Sequence, residues 1–260
     1  MKLSVSNIAW DKELDESVYG KMKSLGYDGL EIAPTRVAGM NPYEDLSVIR
    51  NWYAGIKDRF VISSMQSIWY GRTENVFGGR EQSGTLIEYT KKAILFAEAI
   101  GCNNLVFGCP KNRSMPDGVT EKDAIDFFRT LGEFAASHNT AIGIEANPPI
   151  YNTNFLNTTE SALDFIKAVG SAGIKLNLDT GTMIENGEDV SVLEGSLSLV
   201  NHVHISEPML RKIEHRSLHK DLVQVLNKSG YQGFVSVEMG KQDDIADLYE
   251  VLEYVSGIMQ

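Results

Sequence analysis

Positive charge is scarce in this chain. Lysine and arginine number 24 against 35 aspartates and glutamates, a formal net charge of −11 over 260 residues. A general nucleic-acid binder needs a basic face to displace counterions from phosphates, so this balance argues against one while leaving room for a local basic pocket. Cysteine is nearly missing: Cys102 and Cys109 form no CxxC pair and no disulfide framework, which leaves two buried or half-buried thiols. No apolar run approaches the roughly 20 residues that span a bilayer. The N-terminus MKLSVSNIAW has no long apolar segment followed by a small-residue cleavage site, so no signal peptide is expected and the cytoplasm is the expected compartment. There is no G-x-G-x-x-G after a strand and no G-x-x-x-x-G-K-S/T. Neither a G-x-S-x-G elbow nor an H-E-x-x-H pair is present. Linkers, low-complexity tracts and repeats of solenoid length are also missing.

What is present is an alternation of strand-like and amphipathic segments. At 43 % hydrophobic residues the chain can build one large core. Strands are expected at 3–9, 28–33, 61–68, 104–108, 141–146, 174–179, 202–206 and 234–238. Helices are expected at 13–25, 42–59, 85–100, 120–138, 159–169, 217–229 and 243–258, with a shorter helical stretch at 190–199. Pro42 is placed in a first helical turn and Thr120 as an N-cap. A loop of about fifteen residues, a length that is often functional, follows the third strand. Eight consecutive strand–helix units can close on themselves. The expected fold is α/β, a single (β/α)8 TIM barrel forming one domain over residues 1–260, with an open doubly wound sheet as the runner-up.

The chain is organised around KLNLDTGT at 175–182. Leu176 and Leu178 fall on one face of a strand, Lys175, Asn177 and Asp179 on the other. Three more stretches end on a polar residue in the same way: AIGIEAN at Glu145, NHVHISE at His204 and FVSVEMG at Glu238. At odd steps from each terminus the residues are apolar; at even steps they are small or polar. An oily outer face and a polar inner face suit a barrel wrapped in helices. On successive strands, Glu145, Asp179, His204 and Glu238 converge on one rim, where barrel enzymes place their chemistry. Taken singly, each is as well read as an ordinary strand-end polar residue. Together, three carboxylates in a partly dry mouth repel each other, and a divalent ion removes the conflict. The oxygen-rich set suits Mn²⁺ first, with Mg²⁺, Co²⁺ or Zn²⁺ as alternatives.

At these residues (IEANP, LDTG, HVHISE and VSVEM) the whole chain resembles the xylose isomerase-like TIM-barrel superfamily, the sugar phosphate isomerase/epimerase group. The resemblance implies that Glu145, Asp179, His204 and Glu238 bind the metal and that Glu145 and Glu238 also exchange protons with a sugar. Such an enzyme would be a metal-dependent isomerase or epimerase of a small sugar, sugar phosphate or keto-polyol, working through an enediolate. The chain departs from the ketose 3-epimerase pattern at Thr182, where a histidine stands, at Tyr151, where a glutamate stands, and at Leu210, where an arginine stands with Arg211 next door. These departures point away from a free ketose toward a different sugar or sugar acid.

Other candidates for substrate contact are Lys111 and Arg113 in CPKNR, Asn147 beside Glu145, Glu31 at the end of the second strand, Glu207 closing HVHISE, and Arg211. Arg72 in the long third loop is a further candidate. Trp10, Trp69 and Phe77 are candidates for an apolar wall, with core packing the commoner fate. His202 reads as a hydrogen-bonded core histidine, and His215 and His219 as a surface or rim pair. Three further readings compete: a dehydratase of a keto-polyol on the same scaffold, an endonuclease of the same superfamily, and a non-catalytic sugar-binding barrel. The endonuclease branch needs extra histidines, and the matching slots hold Met65, Gln66, Phe107, Gly108 and Thr182. The expected partner is a small-molecule sugar or sugar phosphate, with no nucleic acid and no membrane; a homodimer is one assembly open to it.

Overall fold

The computed structural model describes residues 1–259. Eight strands, β1 Lys2–Ser6, β2 Tyr27–Ile32, β3 Val61–Met65, β4 Leu105–Phe107, β5 Ile142–Ile144, β6 Ile174–Asp179, β7 Val200–Ile205 and β8 Phe234–Val237, pair in chain order into a closed parallel barrel. The helices are α1 Asp15–Ser24, α2 Pro34–Ala38, α3 Leu46–Ala54, α4 Gly79–Ala99, α5 Lys122–Ser137, α6 Thr159–Val169, α7 Thr180–Asn186, α8 Ser217–Lys228 and α9 Ile245–Met259. Among the described residues no helix is long and apolar enough to cross a membrane.

Alternation along the strands builds two environments. Ile142, Ile144, Leu176, Leu178, Val203, Ile205, Val235 and Val237 are buried in one hydrophobic cluster with the helices. Most inward positions are small or polar, and several bond to one another: Ser4 to Ser63 at 2.5 Å, Asn104 to Ser64 at 2.9 Å and Gln66 to Ser6 at 2.6 Å. Buried polar groups must be paired, and here neighbouring strands supply the partners. Phe234 projects inward at the opposite end from the strand tips. Gly29 makes room for it, since a Cβ there would stand 2.6 Å from the Phe234 ring.

The strand tips are held in step by the ladder. Asp179 pairs with His204, and Ile205 with Val237. Glu238 N donates to Ile205 O at 2.9 Å. The register therefore brings the polar ends of β6, β7 and β8 to one rim.

Several boundaries differ from those the sequence suggests. The 190–199 segment is two short 3-10 turns, Val190–Leu193 and Leu197–Leu199, broken at Gly195, which takes φ +70°. The helix that follows β6 is instead α7. It starts immediately because Asp179 caps it, accepting from Thr182 N at 2.8 Å. Pro42 lies before α3, which begins at Leu46 with Asp45 as its cap. Thr120 caps nothing; α5 begins two residues later. Cys102 is buried and Cys109 half-buried, both as free thiols.

Candidate metal centre and active-site cavity

Glu145, Asp179, His204 and Glu238 each present one ligand atom, and these atoms all lie within 4.8 Å of one another. The glutamates retain 8 % exposure and His204 none. His204 Nδ1 stands 3.0 Å from Glu145 Oε1 and 3.1 Å from Glu238 Oε2. Its other nitrogen, Nε2, is 2.9 Å from Glu31 Oε2. A carboxylate behind a histidine fixes the ring and leaves the opposite nitrogen free to coordinate.

Each candidate ligand is held by its neighbours. Asn177 Nδ2 donates to Glu145 Oε1 at 2.8 Å. Asp179 Oδ1 accepts from Ser206 Oγ, which itself accepts from Gly181 N at 2.8 Å. Asp179 Oδ2 accepts from Thr182 N, and Thr182 Oγ1 lies 2.9 Å from it. Gly108 leaves space for the Glu145 carboxylate, because a Cβ at that position would come within 2.6 Å of Oε2.

Electrostatics identify what the cluster needs. Burial, and after it Glu238, raise the pKa of Glu145; burial and Glu145 raise that of Asp179; burial raises that of Glu238. Burial alone would lower His204, but Glu238, Glu31 and Glu145 outweigh it and hold the imidazole well above its ordinary range. Three carboxylates that resist ionising around one imidazole that resists losing its charge describe a site short of positive charge. Three oxygen donors and one nitrogen at these separations fit a single hard divalent cation.

A cavity of about 780 Å³ opens above the cluster. Glu145, Asp179, Glu238, Asn147, Lys111 and Glu207 line it. Asn147 Nδ2 donates to Ala146 O at 2.9 Å, and its buried Oδ1 has no partner. Glu207 reaches the cavity, but both its oxygens are engaged by Arg216, at 2.6 and 2.7 Å. It is a buried ion-pair anchor rather than a free substrate ligand.

Three expected substrate contacts sit elsewhere. Glu31 is fully buried below the cluster, between His202 and His204 at 2.8 and 2.9 Å. Arg113 is also fully buried: it donates to Glu145 O at 2.8 Å and to Leu156 O, with its guanidinium 5.5 Å from the Phe107 ring centre. Burial lowers its pKa to about 10. The loop after β4 folds Arg113 inward, where two carbonyls and an aromatic face meet its guanidinium while its buried Nε has no partner. Arg211 points outward, held by Pro208 O at 3.1 Å. Arg72 lines the cavity but is paired with Glu74 and lies over Tyr89.

Of the aromatic candidates only Trp69 lines the cavity. Trp10 donates to Asp15 at 2.8 Å in the core, and Phe77 packs edge-on against Phe155. His202 is a core residue. His215 stacks on Tyr254, and His219 is buried, 3.1 Å from the Tyr254 hydroxyl. Thr182, in the place of a histidine, is buried with Oγ1 2.7 Å from Ala146 O.

Asn177, Ser206 and Gly108 join the site although none of them is among the expected site residues. Alternation places Asn177 on the inner face two residues before Asp179, which is a usable signal. Ser206, two residues after His204, carries the same signal, and Gly108 carries none. Tyr151 is a further case: its hydroxyl accepts from Met209 N at 2.7 Å and ties the loop after β5 to the loop after β7.

Among solved structures the chain is similar to 3-keto-D-glucoside 4-epimerase from E. coli, at 19 % identity and TM-score 0.77 with 97 % of each chain covered. It is similar to D-psicose 3-epimerase, at 17 % identity and TM-score 0.78 over 100 % of this chain and 97 % of that one. It is also similar to a probable 3-DHS dehydratase from Bacillus anthracis, at 16 % identity and TM-score 0.70 over 100 % and 98 %. These likenesses are of fold. The comparison with curated proteins finds no match. The model of the xylose isomerase-like TIM barrel family matches residues 20–255. With a match across nearly the whole length and a closed eight-stranded parallel barrel, the chain belongs to the xylose isomerase-like TIM barrel family.

Proposed function

We propose that this protein is a divalent-metal-dependent isomerase or epimerase of a keto sugar, with Glu145 and Glu238 as its acid–base pair. The observation that carries this reading is the flanking of one point, His204 Nδ1, by both glutamates at 3.0 and 3.1 Å. Glu145, Asp179, His204 and Glu238 would hold the ion, Mn²⁺ first. When bound, the cation supplies the positive charge that an oxyanion next to the reacting carbon needs.

The residues of the chain divide the remaining work. One glutamate takes the proton from the carbon beside the carbonyl and the other returns one. Delivery to the opposite face inverts a stereocentre; delivery to the neighbouring carbon gives an aldose–ketose isomerisation. Burial raises both carboxyl pKa values in the metal-free protein and a bound cation would lower them again, so these two opposing influences would set where the pair titrates. Asn147 Oδ1, unpartnered in the cavity, accepts a hydrogen bond from a sugar hydroxyl. Lys111 contacts the substrate from the rim. Two of the similar structures are named as sugar epimerases, which supports the same class of chemistry here.

The test is solvent exchange. Mn²⁺-loaded protein in deuterated water, offered a panel of ketoses and keto-glycosides, is expected to place deuterium on the carbon next to the carbonyl, and Glu238→Gln to abolish the exchange. No exchange across the panel would overturn the proposal. The likeness to a probable dehydratase favours one second reading, in which the same proton abstraction is followed by loss of a β-hydroxyl. Loss of the mass of water from the substrate separates the two.

A further inference from the structure

The walls and charges of the cavity select among sugars, provided that the keto-sugar chemistry proposed for the cluster holds. At about 780 Å³ the cavity lies in the upper part of the range of roughly 300–1,000 Å³ that holds drug-sized ligands. A single five- or six-carbon ketose leaves much of that volume unfilled. The carboxylates occupy only the floor. The outer part is walled by Met40, Trp69, Tyr70, Tyr151 and Leu210. At the rim, Met40 is 66 % and Tyr70 58 % exposed, large apolar surfaces facing solvent at the mouth of a polar site. Exposed aromatic and thioether groups of this kind gain most when an amphipathic ligand covers them. Leu210 is held in the wall by its backbone: it takes φ +54°, and its carbonyl accepts from Gly240 N at 2.8 Å.

The charges argue against the other obvious use of the space. Of the arginines near the mouth, Arg113 is buried against carbonyls, Arg72 is paired with Glu74, Arg216 with Glu207, and Arg211 turns outward. Among the described residues Lys111 is the one cavity-lining cation without an ion-pair partner, and it is exposed at the rim. With a divalent cation on the floor, Glu145, Asp179 and Glu238 still outnumber its two charges, and a phosphate or carboxylate on the outer part of the substrate would meet no arginine fork, only Lys111 at the rim.

We propose that the substrate is an uncharged keto-glycoside, a keto sugar joined through its glycosidic bond to a second ring or other neutral group. The reacting ring lies on the floor beside Glu145, Asp179 and Glu238. The second group lies against Met40, Tyr70 and Leu210.

Binding tests this independently of turnover. Titration calorimetry on the Mn²⁺-loaded protein would compare phenyl 3-keto-β-D-glucopyranoside, its methyl analogue, D-fructose and fructose 6-phosphate. The phenyl glycoside is expected to bind at least tenfold more tightly than either the methyl glycoside or fructose. Tyr70→Ala is expected to bring that preference within threefold. Equal binding of all neutral sugars, tightest binding by the phosphate, or a preference untouched by Tyr70→Ala would each overturn the proposal. Deuterium exchange separates it from the reaction on which it rests. Exchange with fructose and no preference for the glycoside sinks the substrate class alone. Tyr70-dependent glycoside binding with no exchange supports the class and sinks the reaction.

Discussion

His204 Nε2 lies 2.9 Å from Glu31 Oε2, and neither side chain has any solvent exposure. Glu31 comes from β2 and His204 from β7, so this contact crosses the barrel interior. It turns His204 Nδ1 toward Glu145 and Glu238 and makes Glu31 a support for the candidate metal centre. Glu31→Gln keeps the shape and removes the charge behind the ring. Mn²⁺ affinity, measured by titration, is expected to fall about 10- to 100-fold. Unchanged affinity would mean that the ring is oriented by something else.

Gly108 is expected to tolerate no side chain. An added Cβ would stand 2.6 Å from Glu145 Oε2, so the carboxylate must move. A displacement on the order of 1 Å in a positioned group can cost about 100-fold in rate. Gly108→Ala should lower the rate of solvent exchange by about that factor, with a circular-dichroism melting curve close to that of the native chain.

The response to pH follows from the carboxylates. Burial raises the pKa values of Glu145, Asp179 and Glu238 in the folded, metal-free protein. In the unfolded chain such groups ionise near pH 4. The part of the stability tied to these three groups is therefore fully present below that pH and falls as pH climbs toward the raised folded values, because the unfolded state releases its protons first. A bound cation relieves the repulsion. The gain in Tm on adding saturating Mn²⁺ should be larger at pH 8 than at pH 5. Scanning calorimetry with and without the ion checks this; an equal or smaller gain at pH 8 contradicts it.

Glu207 and Arg216 give a stability prediction. Glu207 is buried, and Arg216 engages both of its oxygens. Removing the arginine strands a buried carboxylate, at a cost of roughly 3–5 kcal/mol. In urea unfolding, Arg216→Ala should be clearly less stable than the double variant Arg216→Met with Glu207→Gln, which leaves no buried charge. The opposite order would show that a buried Glu207 without its arginine carries no penalty.

Much of the arrangement is legible without the fold. Alternation around Asp179, Glu145, His204 and Glu238 marks inner and outer faces, because side chains on a strand alternate strictly. Closure into a barrel then forces neighbouring strand tips together. Helix ends are less legible: α7 springs from Asp179 because its carboxylate caps the chain at once, and the 190–199 segment breaks at Gly195. Arg113 and Lys111, two residues apart in one basic loop, are indistinguishable by sequence. One is buried against Glu145 O and Leu156 O; the other stands at the rim.

The order of residues alone determined the eight strand–helix units and which residues end the inward faces of the strands, since periodicity and strand-end chemistry are local properties. Only the tertiary structure decided that Glu31 backs His204, that Asn177 holds Glu145, that Gly108 makes room for a carboxylate, that Arg113 is buried and that Arg72 is paired with Glu74. Those outcomes depend on partners from distant parts of the chain, such as Glu31 and His204 at a sequence separation of 173, and on where burial leaves a polar group a partner. Local sequence encodes neither.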